Sequence, residues 1–93
     1  MRGAVSVDDG ARRALISRGT SLLPAGVQTV TGHFERGDAV DVCTLDGAVF
    51  ARGIAVMSSV EVHSAVGRRT SDLPAGMADE VIHRGDVVVL VAG

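Results

Sequence analysis

Val7-Asp8-Asp9-Gly10-Ala11-Arg12-Arg13-Ala14-Leu15 reads as a strand passing through a tight turn into a short amphipathic helix. Ser21-Leu22-Leu23-Pro24-Ala25-Gly26-Val27 then reads as a Pro/Gly corner into a second strand. Asp8 or Asp9 can cap the helix, because a carboxylate accepts the free N–H groups of a first turn. Ala11, Ala14 and Leu15 share one side at i, i+3, i+4, which leaves Arg12 and Arg13 off the apolar stripe. Arg18 suits the negative end of the helix dipole, and Gly19 can take the left-handed conformation that ends a helix. Leu22 and Leu23 are both expected to plug the core ahead of Pro24, which disfavours helix at the residue before it.

Outward from this stretch the chain is strand-rich. Residues 4–7, 27–30, 39–45 and 48–56 are expected strands, with Asp46-Gly47 as a two-residue hairpin signal and Gly53 as a bulge or corner. Ser58 with Glu61 fits a capping box for a second helix over residues 59–66, ended by Gly67. Residues 68–77 read as irregular connection. Residues 80–83 and 87–91 are expected to form a last hairpin around Arg84-Gly85-Asp86, and the valines at 87–89 suggest burial on both sides or barrel closure. The expected core holds Leu15, Leu22, Leu23, Val40, Val42, Ile54 and Val89. Leu23-Pro24-Ala25-Gly26 recurs as Leu73-Pro74-Ala75-Gly76, which we ascribe to shared turn chemistry.

Ninety-three residues make one domain, residues 1–93, with one modest core. At 46% hydrophobic and 22% charged the chain should fold. No apolar run approaches the roughly 18 residues of a membrane helix, and Met1-Arg2-Gly3 does not open a signal peptide. One cysteine, Cys43, cannot form an internal disulfide. Together these favour a cytoplasmic protein without a membrane partner.

Nucleic-acid modules are usually basic, and the net charge of −2 argues against one globally while allowing a local patch. All nine positive charges are arginine. A lysine-bearing phosphate loop is therefore excluded. The two Arg-Gly-Asp triplets, 36–38 and 84–86, read as turns rather than adhesion motifs. His33, His63 and His83 are scattered, unlike metal ligands, and Asp8-Asp9 reads as a cap rather than an acid-base pair. No catalytic, metal-binding or cofactor-binding residue is expected.

The segments quoted first, followed in order by Phe34-Glu35-Arg36-Gly37-Asp38, Asp46-Gly47, Ala51-Arg52-Gly53, Ser58-Ser59, Val66-Gly67-Arg68 and Val81-Ile82-His83-Arg84, resemble the PUA domain. The version at the C-terminus of glutamate 5-kinases is the most similar. The resemblance implies a mostly β pseudo-barrel of about five or six mixed strands with two short helices. It also implies an accessory or regulatory role beside a kinase domain of proline biosynthesis. ATP and magnesium would belong to that absent kinase domain, not to these residues. In RNA-binding members the first helix, the strand after it and the last strand form the contact face. On this chain that face would hold Arg12, Arg13, Arg18, Gly19, Ser21 and Arg84. A stand-alone module binding structured RNA through phosphates is the alternative, and self-association is a further partner to test. Trp and Tyr are lacking, so base stacking would fall to Phe34 and Phe50. Two positions depart from the family pattern: Met57 stands where an aromatic is common, and Gly85 separates His83-Arg84 from Asp86.

Overall fold

The computed structural model describes residues 3–68, 73, 76 and 78–90. Alternation in Ala4–Val7 (β1) turns Val5 and Val7 into the core and leaves Ala4 and Ser6 half-buried. Helix α1 spans Asp9–Arg18, capped by Asp8 and ended by Gly19. A single 3-10 turn, Pro24–Gly26, leads into β2, Val27–Thr31. Strands β3, Ala39–Cys43, and β4, Val49–Ala55, form a hairpin around Asp46-Gly47. Helix α2, Ser59–Ala65, carries the expected capping box of Ser58 and Glu61. The last strand is β5, Ile82–Val89.

The five strands make one mixed sheet in the order β2-β1-β3-β4-β5, with β1 parallel to β3 and the other pairs antiparallel. The edge strands β2 and β5 do not pair. Leu22, ahead of β2, instead bridges to Ile82 at the start of β5. Leu22 N donates to Ile82 O at 2.9 Å and Val81 N donates to Leu22 O at 2.7 Å. This bridge curls the sheet into a pseudo-barrel. Its interior is aliphatic: Leu15, Leu22, Val40, Val42, Met57, Val62, Val81 and Ile82 are all buried, together with Phe34. Met57 thus fills the core.

Several expectations change. Leu23 is 45% exposed, because Leu22 and Leu23 are consecutive residues of extended chain and only one can face inward. Ile54 is also exposed, since Ala51, Gly53 and Ala55 hold the inward positions of β4. Val89 is only half-buried and Val88 is 61% exposed, because β5 is an edge strand with one covered face. Arg84-Gly85-Asp86 is no hairpin turn but lies within β5, where the register against β4 shifts. Gly53 makes that shift possible: a Cβ there would lie 2.6 Å from Ile82 Cγ2 and 2.8 Å from the Asp86 carbonyl. Phe34 is 1% exposed and unavailable for stacking. Most of the expected connection over residues 68–77, with half of the repeated Leu-Pro-Ala-Gly, lies outside the described residues, as does Val91.

Candidate functional site

Helix α1 starts where Asp8 Oδ1 accepts from Ala11 N at 2.7 Å. Asp8 N in turn donates to Gly26 O at 3.1 Å, tying the helix start to the corner before β2. Leu15 anchors the buried stripe, with Ala11 and Ala14 half-buried, so Arg12, Arg13 and Arg18 stand on the exposed side. Gly19 has φ 62°, a left-handed conformation that costs glycine nothing and lets the chain turn back towards β5. Two residues on, Ser21 Oγ accepts from Arg84 N at 3.0 Å.

That hydroxyl serves a second partner. It holds the Glu80 carboxyl below the usual carboxylate range, with His83 as the next contributor. His83 Nδ1 lies 3.0 Å from Glu80 Oε1. Ser21, Glu80, His83 and the Arg84 backbone therefore form one knot between the end of α1 and the start of β5. Glu80 was not singled out in the sequence, and His83 was weighed there only as a metal ligand. Their spacing of three carries no signal of its own until Ser21 is brought beside them.

The six expected site residues form a band rather than one cluster. Ser21 and Arg84 meet at the knot, and Gly19 lies two residues before it in the chain. Arg13 and Arg18 flank a shallow hollow with Gly10, Ala14 and Ser17. Arg12 turns the other way, with its guanidinium carbon 5.7 Å from the centre of the Phe50 ring. It also faces Asp46, whose carboxyl is held low mainly by the Thr44 hydroxyl and the Ala48 backbone, with Arg12 a smaller cause. A second hollow, almost wholly apolar, runs between α1 and the corner, lined by Ala11, Ala14, Leu22, Leu23, Ala25 and Gly26, with Ser21 at its rim.

The chemistry on offer is recognition: exposed guanidiniums, one hydroxyl knot and an apolar hollow. Cys43 is buried, and burial pushes its thiol above the usual value, with Asp41 adding to the shift. A raised thiol is a poor nucleophile. Among the described residues no three His, Cys, Asp or Glu side chains are grouped to hold a metal ion. Nor is any described helix long and apolar enough to cross a membrane.

The strands thus form a mixed five-stranded pseudo-barrel, a domain built on one sheet with its first helix laid against its last strand. The PUA domain family model matches residues 3–77, and the chain belongs to that family. Glutamate 5-kinase from Syntrophotalea carbinolica is 46% identical over 92 residues, covering 95% of this chain and 25% of the kinase. This chain thus spans about a quarter of the length of the kinases it matches. A conserved PUA domain protein from Thermoplasma acidophilum shares the fold with a TM-score of 0.62 and 30% identity, over 88% of this chain and 48% of that one. A chain of an H/ACA RNP bound to a substrate RNA shares the fold at TM-score 0.59 and 24% identity, over 88% of this chain and 23% of that one.

Proposed function

We propose that this domain is the accessory module of a glutamate 5-kinase and takes no part in the chemistry itself. The polypeptide it serves would transfer the ATP γ-phosphate to the side-chain carboxylate of glutamate, the opening step of proline biosynthesis. One observation carries the reading: identity of 46% extends over 95% of the chain, rather than resting on one short motif. A similarity of that extent reflects more than a shared fold. The residues themselves agree, since the chain has neither lysine nor a phosphate-cradling loop.

Substitution into the relative tests this. The domain replaces the matching quarter of the Syntrophotalea carbinolica kinase, and glutamate-dependent ATP turnover is measured for the chimera and for the 93-residue chain alone. The chimera is expected to fold and phosphorylate glutamate, and the isolated chain to be inactive. An inactive chimera, or turnover by the isolated chain that one substitution abolishes, overturns the reading.

A second reading, a module binding structured RNA through phosphates, draws on the exposed Arg13 and Arg18 along α1 and on Arg84 beside Ser21. It is the weaker one. Arg12 is turned to Phe50 and Asp46, Glu80 sits in the knot, and Phe34 is buried.

A further inference from the structure

The outer face of the sheet changes character from one side to the other. Thr31, Ala4, Asp41, Arg52 and Val88 lie opposite one another in a single row across all five strands. On the β2–β1 side this face is polar, with Ser6 Oγ and Thr29 Oγ1 hydrogen-bonded to each other. On the β4–β5 side it becomes a shallow apolar groove formed by Ala39, Ile54, Val88 and Leu90, with Arg52 and Asp86 at its rim. Val88, Ile54 and Leu90 are 61%, 41% and 37% exposed. Arg52 Nε is held by Asp41 Oδ1 at 2.8 Å, which fixes a charged pair beside the apolar floor. The groove shares no residue with either hollow on α1.

One end of the described domain lies in this groove, and the other lies on the row of residues that crosses it. Ala4, the first residue of β1, stands in the row beside Asp41, and Leu90 itself forms part of the groove. Ala4 and Val88 are three strand spacings apart, roughly 14 Å. A chain leaving Leu90 therefore starts in the groove, and one entering at Ala4 starts within about 14 Å of Val88. The relatives are about four times as long as this domain.

We infer that the outer face of β4 and β5 docks on the kinase portion of the longer polypeptide, an inference that rests on the function proposed above. The partner surface would be apolar, flanked by charges opposite to Arg52 and Asp86. Tethering makes a small groove sufficient. A short linker sets an effective concentration on the order of 1 mM. A contact with a dissociation constant of about 0.1 mM would then be about nine-tenths closed, slowing amide exchange beneath it about tenfold.

Hydrogen exchange on the chimera, compared with the 93-residue chain, tests the inference. Slowing of about tenfold is expected in β4 and β5, with α1 unchanged. Ile54→Glu with Val88→Glu should restore the rate of the isolated chain while leaving that chain's own melting temperature within a few degrees, since both side chains face solvent. Equal exchange in an active chimera, or slowing confined to α1, overturns the docking surface and leaves the proposed function standing. An inactive chimera overturns both. Slowing in the isolated chain that grows with its concentration overturns the inference by assigning the groove to a second copy of this chain.

Discussion

Replacing Glu61 by Gln separates two roles filled by one carboxylate. Glu61 Oε1 accepts from Ser58 N at 3.0 Å to complete the capping box of α2. The same group receives Arg36 in a two-pronged contact, with Nε at 2.8 Å from Oε1 and Nη2 at 2.5 Å from Oε2. Arg36 first, then the Ser58 backbone, lower the Glu61 carboxyl from 4.5 to about 2. Taken without screening, that depression corresponds to about 3 kcal/mol. Arg36 is 62% exposed, so water and salt reduce the gain to about 1 kcal/mol. Gln keeps an acceptor for Ser58 and loses the charge, so it should cost about that amount at neutral pH. Because the folded value lies below the unfolded one, the stabilisation is complete above about pH 4.5. It is lost as pH falls through about 2, below which both states are protonated. Urea titrations of both proteins at about pH 7, 5, 3.5 and 2.5 should show the gap hold, hold, narrow and nearly close. A gap that stays constant with pH would refute the ion pair as its source. Glu61→Ala should cost about 1 kcal/mol more than Gln, and that increment should persist in acid because it reports the cap.

Leu22→Ala should cost about 2–5 kcal/mol, since the side chain is buried in the core; an unmoved melting temperature would put the core elsewhere. Gly53→Val should destabilise by about 1–3 kcal/mol, because its side chain meets the Asp86 backbone as well as Ile82; unchanged stability in urea would contradict the packed bulge. For RNA, a mobility shift at about 0.15 M salt should show no binding, since carboxylates within the Debye length of about 8 Å oppose phosphate. Any binding at lower salt should be sequence-tolerant, with a log–log slope of about −2 to −3 for Arg13, Arg18 and Arg84 together. Tight, selective binding that survives high salt would mean that a recognition pocket has been overlooked.

Local chemistry was the legible part of the sequence. The Asp8 cap, the Gly19 stop and the Ser58–Glu61 box each announce themselves within four residues, because a helix end is satisfied by its own neighbours. The strand pairs joined by Asp46-Gly47 were legible for the same reason. What failed depended on residues distant in sequence. Arg84-Gly85-Asp86 has the composition of a turn, and only the bare Gly53 opposite it allows the strand to continue past a bulge. Ile54 has a core residue's composition and an outward position, because the inward places of β4 went to alanine and glycine. The site was half legible: α1 showed its arginines, while the knot of Glu80, His83 and Ser21 exists only through the bridge between Leu22 and Ile82.

That bridge joins residues 60 apart in the chain, so it also sets when the domain can finish folding. Strands β1, β2, β3 and β4 lie within the first 55 residues and can pair before the last third of the chain is made. Until β5 arrives, Leu22 has no backbone partner and β4 presents a bare edge lined by Ala51 and Gly53. An emerging polypeptide would therefore pass through an open half-barrel with one unprotected strand, the stage at which mispairing with another copy is easiest. Closing a loop of this length places the domain among slower folders of its size. A chain stalled before Ile82 should be the aggregation-prone form, more so than any full-length variant with a weakened core.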